Sequence, residues 1–295
     1  MKNENKKGIL KAIGIGLGVN VLLTLLKVSF GFFGNSQALL SDGLNSFSDV
    51  FISLMLLVVL RIATKKPDHD HPYGHEKFEG IAYFLLGIIF FLTALFIGNL
   101  AIASIIDYIN NPSAAITPKL VTLIISLISL GIKIFLVRYY LKVSKKYESP
   151  TLKADAKNHL LDVWATLFTV IGIALTQFNL IIFDYIASLI IGLFILKLAL
   201  QILKESVAYL VDQAPSDEEI ISINEIILSV SGVITVDDLK VRKHMTQKYV
   251  DVEIGVDAAL TLESAHKIAE NVHHKVEEKF SDVIHCMVHV NPHRL

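Results

Sequence analysis

Long apolar runs dominate the first two thirds of the chain. Six of them are long enough to cross a bilayer as a helix, which takes about 20 residues. They cover approximately residues 9–33, 38–62, 79–107, 118–141, 154–177 and 180–210. Short polar segments rich in Gly, Asn, Ser and Pro separate them, as turns do. The pattern predicts six transmembrane helices.

Beyond the sixth run the pattern changes to that of a small soluble domain. Segments 216–231 and 262–280 have a helical period, whereas 233–241, 249–256 and 283–290 are typical of strands. The order αββαβ predicts a small open sheet with helices on one face, a ferredoxin-like α+β fold. We therefore expect a six-helix transmembrane domain over residues 1–211 and a soluble domain over residues 212–295.

Composition and charge narrow the class of protein. Hydrophobic residues make up 53% of the chain and charged residues 19%, and the mean hydropathy is +0.56. This composition is too apolar for a soluble protein and indicates a lipid bilayer as the surroundings. The net charge of −1 offers no basic field for nucleic acid. The single cysteine, Cys286, excludes an internal disulfide and a cysteine-rich metal cluster.

The distribution of Lys and Arg predicts the orientation in the membrane. These residues gather before the first span, between the second and third, between the fourth and fifth, and at the end of the sixth. The other three loops contain none, apart from Lys119 at the edge of span four. Because basic loops stay in the cytoplasm, we expect a multi-pass protein of the cell membrane with both termini cytoplasmic.

Two of the predicted spans carry polar residues in the same arrangement. Residues 42–49 and 155–162 both follow the pattern D-x-x-N-x-x-x-D. A carboxylate near the bilayer centre costs roughly 2.5–3.5 kcal/mol on insertion scales, so ionisable residues in spans are functional by default. Asn and Asp also form hydrogen bonds between helices in bundles, but a duplicated stripe favours a functional role.

The spacing within each stripe predicts a cation site. The Asn and the second Asp are four residues apart and therefore share one helix face. Spans two and five run in opposite directions, so side-by-side packing brings four oxygen-bearing side chains to one depth. These four residues are Asn45, Asp49, Asn158 and Asp162. Asp42 and Asp155 lie nearer the membrane faces, where we expect groups at the mouth of the pathway or helix caps.

The loop between spans two and three is rich in metal ligands. Residues 68–75 contain three histidines and two aspartates. Such a set can hold a metal through nitrogen and oxygen, although a hydrated polar loop is the alternative. His75 and Glu76 do not begin a zinc-protease motif, because Glu79 stands where the second His is required. The spans also lack a nucleophile and base set, so no enzyme is expected.

These features together resemble the cation diffusion facilitator family of divalent-metal/proton antiporters. The resemblance rests on the six spans, the paired stripes, the loop sequence H-P-Y-G-H-x-K-x-E and the αββαβ tail, and it covers almost the whole chain. It implies a homodimer that exports a divalent metal from the cytoplasm in exchange for protons. It also implies that the four stripe residues form the transport site and that the soluble domain dimerises.

The resemblance assigns further residues outside the membrane. It matches a loop metal site to Asp68, His71 and His75. It matches a charge lock between the third span and the soluble domain to Lys77 and Asp212. Metal sites in the tail align with Asp237, Glu253, His266, His289 and Asn291, of which only His266 and His289 are imidazoles.

The ligands of the transport site predict which metal is carried. Zinc favours some nitrogen or sulfur ligation, and zinc-transporting members of the family typically have His where Asn158 stands, whereas an all-oxygen set suits harder ions such as manganese. Asn45 is also similar to the equivalent residue in bacterial manganese exporters. We therefore expect a manganese-preferring exporter, with protons as the counter-ion.

Two alternatives stay open. His159 is adjacent to Asn158 and three residues before Asp162, so a rotation of the helix could bring its imidazole into the site. The protein would then export zinc or iron(II). A membrane metal sensor or scaffold that binds metal through its tail and moves no ions is the alternative from another class.

Overall fold

The structure is a computed structural model of the chain, and it describes residues 3–63, 65, 68–75, 77–147, 150–244 and 247–293. For some helical residues, among them Asn158, the structure describes the backbone but not the side chain. The chain divides into two compact units. One comprises Met1–Val58 and Leu85–Ile202, and the other comprises Val59–Phe84 and Leu203–Leu295. The predicted domain boundary between residues 211 and 212 stays a prediction.

Six long helices occupy the six apolar runs. They are α1 (Asn3–Phe33), α2 (Gln37–Ala63), α3 (Lys77–Asn110), α4 (Leu120–Tyr147), α5 (Pro150–Thr176) and α6 (Ile182–Leu210). Among the described residues, α1, α3, α4, α5 and α6 contain segments long and apolar enough to cross a membrane. Helix α2 has 27 residues and carries the first polar stripe. The predicted helical membrane fold is confirmed.

The helices of the first unit approach one another closely where their side chains are small. Helix α4 packs along α5 and α1. Gly43 of α2 faces α1, and a Cβ atom there would lie 2.9 Å from the backbone nitrogen of Val28. Gly31 of α1 is tighter still, since its Cβ would lie 2.5 Å from the backbone nitrogen of Leu40. Small residues of this kind are typical of helix interfaces in membranes.

A buried carboxylate holds the start of α2. Asp184, in the first turn of α6, accepts hydrogen bonds from Ser36 Oγ at 2.7 Å and from the backbone N–H of Gln37 at 2.7 Å. The first N–H groups of a helix have no partner within the helix and favour negative charge. Asp184 therefore caps α2 from another helix, which fixes the end of the helix that carries the first polar stripe.

The soluble part of the second unit has the predicted order of elements. It contains α7 (Asp217–Leu228), β1 (Thr235–His244), β2 (Gln247–Asp257), α8 (Leu262–Lys279) and β3 (Val283–His293). The sheet has the order β1-β2-β3, with β1 antiparallel and β3 parallel to β2. Its core includes Ile223, Ile227, Val250, Val252, Val272 and Val276. The α+β fold predicted for this segment is confirmed.

The element ends follow from local chemistry and from pairing. Ser216 and Glu219 form a capping box, which starts α7 at Asp217. Thr261 caps α8 with its hydroxyl, which accepts from the backbone N–H of Ser264. Strand β3 runs to His293 instead of ending at residue 290, because its parallel pairing with β2 continues as far as Asp257. The alternation of residues along one strand does not show how far it pairs with its neighbour. The predicted strand therefore ends too early, at residue 290.

Candidate metal-transport site

Asp162 of α5 is the centre of a polar cluster inside the helical bundle. Asn45 of α2 donates a hydrogen bond from Nδ2 to Asp162 Oδ1 at 3.3 Å. Lys133 of α4 places its Nζ 3.2 Å from Asp162 Oδ2, and His159 Nδ1 lies 3.6 Å from the same oxygen. Three helices therefore direct polar groups at one buried carboxylate.

Asp49 joins this cluster from α2. It lies one turn after Asn45 on the same helix face, and its carboxyl is within hydrogen-bonding reach of Asp162. Lys133 and Lys27 are the positive charges that act on it. Two carboxyl groups this close repel each other when both are ionised, and a shared cation or proton relieves that repulsion. The pair can therefore hold a divalent cation.

The structure brings together three of the four residues predicted for the transport site. Asn45, Asp49 and Asp162 converge, whereas the side chain of Asn158 lies outside the described residues. The imidazole of His159 faces Asp162 and meets the ring of Tyr140 edge-on, at 5.0 Å between centroids. The choice between Asn158 and His159 as a ligand therefore stays a prediction, with His159 placed beside the site.

Two buried lysines lie near the cluster, and the sequence patterns did not predict either of them. Lys27 of α1 lies 2.7 Å from Asp42 Oδ2 and donates to Ser46 Oγ at 3.2 Å and to Thr166 Oγ1 at 3.1 Å. Lys133 of α4 is equally buried beside Asp162. A lone lysine in the middle of an apolar run is the signal that could have identified both, because such a charge is expensive in a bilayer.

The position of Asp42 corrects one expectation. Its side chain has no exposed surface and pairs with Lys27, while Thr166 donates to its other oxygen at 3.2 Å. Asp42 is therefore neither an exposed group at the mouth of a pathway nor a helix cap. Its partners lie on α1 and α5, distant in sequence, which is why the stripe alone suggested the wrong role. Asp155 lies on α5, and its side chain is outside the described residues.

The loop before α3 assembles three of its five ligand candidates. Asp68, His71 and His75 place one ligand atom each within 4.8 Å of one another, and no other such group of His, Cys, Asp or Glu occurs among the described residues. The backbone N–H of His71 donates to Asp68, which lowers the pKa of that carboxyl and keeps it ionised. His69 and Asp70 point to solvent. The three gathered residues form a candidate metal site in this loop.

The predicted charge lock is present as an ion pair within the second unit. Lys77 is the first residue of α3, and its Nζ lies 3.4 Å from Asp212 Oδ1. Asp212 follows the end of α6 with a φ of 57°, a left-handed conformation common just beyond helix ends. The pair therefore joins the start of one membrane helix to the end of another. Its function as a lock stays a prediction.

The residues predicted for the tail are gathered only in part. Asn291 donates from Nδ2 to Asp237 Oδ2 at 3.0 Å and to Glu253 Oε2 at 3.2 Å. His289 pairs with Glu253 in the register of β3 and β2. His266 instead lies on α8, 3.5 Å from Glu270. The sheet thus carries one polar group of candidate ligands, and the tail metal sites stay predictions.

The helical bundle with a carboxylate pair inside it, joined to a small α+β domain, defines a membrane cation transporter. Family comparisons agree with this class. The model of the cation efflux transmembrane domain matches residues 13–211, and that of the cation efflux cytoplasmic domain matches residues 215–293. The chain belongs to the cation efflux family of membrane metal transporters, and it is not an enzyme. The resemblance noted from the sequence is confirmed.

Several relatives are similar to this chain over most or nearly all of its length. The manganese efflux system proteins MneP and MneS of Bacillus subtilis are 33% and 31% identical, and the matches cover 97% or more of each chain. The magnetosome protein MamM of Magnetospirillum gryphiswaldense is 30% identical over 89% of this chain and 82% of its own.

Solved structures of the C-terminal domain of MamM match the tail. One of them is 30% identical and covers 26% of this chain and 100% of that domain, with a TM-score of 0.26.

Proposed function

We propose that the protein exports a divalent metal from the cytoplasm in exchange for protons and that manganese is its preferred substrate. The observation that carries the proposal is the convergence of Asn45, Asp49 and Asp162 inside the helical bundle. Carboxylate and amide oxygens suit a hard cation such as manganese. The similarity to two proteins named for manganese efflux supports the same choice.

The two carboxylates supply the coupling between metal and protons. Asp49 and Asp162 bind the cation when both are deprotonated, and Asn45 adds a carbonyl oxygen without adding charge. Protons that reach the site from outside compete for the same oxygens and drive release, because metal ligands must be deprotonated. Rocking of the helices around the fixed site exposes it to each side in turn.

Metal bound outside the membrane regulates this transport cycle. The loop residues Asp68, His71 and His75 hold a metal on the cytoplasmic side. The tail binds metal through the polar side chains gathered on its sheet around Asn291. The chain functions as a homodimer through its cytoplasmic domain, with both termini in the cytoplasm of the cell. The similarity of the tail to the family's cytoplasmic domain supports this arrangement.

Proton coupling is tested with purified protein in proteoliposomes that are more acidic inside than outside. Manganese added outside should enter several-fold faster than in vesicles without a pH gradient, because protons leaving through the transporter drive its entry. A protonophore should remove the difference, and empty vesicles control for leakage. Equal uptake with and without the gradient would show that protons are not exchanged.

One observation favours a second candidate, an exporter of zinc or iron(II). The imidazole of His159 lies 3.6 Å from Asp162 Oδ2, close enough for both groups to ligate one ion after a small movement. Zinc favours imidazole ligands, whereas manganese favours oxygen ligands. The two candidates therefore differ in whether loss of His159 removes transport or leaves it intact.

A further inference from the structure

We propose that Lys133 is a built-in competitor of the transported metal. Its ammonium group pairs with Asp162 in the structure and must leave when a divalent cation binds. Lys133 thereby weakens metal binding and speeds metal release. This inference rests on the proposed function, since it concerns the same site.

In the structure both oxygens of Asp162 already face protein donors. Asn45 Nδ2 lies 3.3 Å from Oδ1, and Lys133 Nζ lies 3.2 Å from Oδ2. Lys133 has no exposed side-chain surface, so its charge is withdrawn from water and compensated inside the bundle. The ammonium therefore occupies one of the positions from which a metal would bind Asp162.

The two buried lysines of the bundle differ in how firmly they are held. Lys27 contacts three oxygens, those of Asp42, Ser46 and Thr166. Among the described residues Lys133 Nζ has one such contact, its ion pair with Asp162 Oδ2. Lys27 is thus a fixed structural cation, whereas Lys133 is the one whose partner can be exchanged.

A metal ion and the ammonium cannot share Asp162 without strong repulsion. Oxygen ligands lie about 2.0–2.2 Å from small divalent metals, so the ion would be within about 5.5 Å of the present position of Nζ. Like charges at that distance repel strongly in a medium of low dielectric constant. The lysine has a flexible four-carbon stem, which allows its head group to move away as the metal arrives.

The same pairing explains how the transporter tolerates an empty site. An ionised carboxylate without a partner is costly inside a membrane protein. After the metal has left, Lys133 compensates Asp162 and stabilises the metal-free protein. A more stable empty state means weaker binding, so both effects of the lysine act in the same direction.

The test compares manganese binding by wild-type protein, Lys133→Gln and Lys133→Arg, using titration calorimetry on the purified full-length chain. The binding component that Asp49→Ala removes is assigned to the transport site. Lys133→Gln should tighten that component about tenfold or more, since a full positive charge is lost nearby. Lys133→Arg keeps the charge and should stay within about threefold of wild type. In proteoliposomes Lys133→Gln should lower both the KM and the maximal rate.

Unchanged or weaker binding by Lys133→Gln would overturn the inference and leave Lys133 as a structural ion pair. If Lys133→Gln folds poorly, Lys133→Met gives a second neutral variant, with the manganese-induced rise in melting temperature as the readout. That rise should exceed the wild-type value, and an equal or smaller rise would again overturn the inference. Full binding by Asp49→Ala, in contrast, would refute the transport site itself.

Discussion

Asp49→Ala should reduce metal transport by about 100-fold or more, a loss of roughly 2.7 kcal/mol in binding, while leaving the protein folded. The substitution removes one of the two carboxylates that converge at the site, and with it half of the negative charge available to the cation. Initial rates of manganese uptake into proteoliposomes measure the effect. Asp107→Ala, the same substitution at an exposed position near the end of α3, is the matched control and should transport normally.

The same variant separates a transporter from a metal sensor. Cells that depend on the protein for manganese tolerance should lose that tolerance with Asp49→Ala. A protein that only bound metal through its tail would be indifferent to the change. Efflux at the wild-type rate in this variant would refute the assignment of the site.

Lys27→Met should destabilise the membrane domain by about 3–5 kcal/mol, because it leaves Asp42 buried without its counter-charge. Lys27 and Asp42 both lack exposed surface, and their 2.7 Å ion pair joins α1 to α2. The double variant Lys27→Met/Asp42→Asn removes both charges and should recover much of the lost stability. Unfolding of each variant in detergent micelles, followed by circular dichroism, provides the measurement. A single variant that unfolds like wild type would show that the pair does not hold the helices together.

The fold could be predicted from the sequence because its determinants are local. An apolar run long enough to span the bilayer forms a helix, because a helix satisfies its backbone hydrogen bonds within the segment. In the tail, strand alternation and the acidic start of α7 gave the correct order of elements. The strand ends were less predictable, since β3 extends to His293 through pairing with β2 and not through its own alternation.

Only the part of the candidate site that belongs to the repeated pattern could be predicted from the sequence. The duplicated stripe pointed to Asn45, Asp49 and Asp162, because helical spacing places such residues on one face. The partners on other helices could not be found in this way. Lys133 reaches Asp162 from α4, and Lys27 reaches Asp42 from α1, and both contacts depend on how the helices pack.

The rotation of α5 determines whether Asn158 or His159 is a ligand of the metal. The stripe favours Asn158 as the ligand, whereas the structure places the adjacent His159 against Asp162. An amide oxygen and an imidazole favour different metals. The central claim, a manganese-preferring oxygen site, is therefore decided by transport selectivity.

The most direct measurement is uptake of manganese and zinc, in competition, into proteoliposomes under a pH gradient. Wild-type protein should carry manganese in preference to zinc, His159→Ala should keep that preference, and Asn158→His should gain zinc transport. Wild-type protein that prefers zinc and loses its transport with His159→Ala, while Asn158→His changes nothing, would contradict the account.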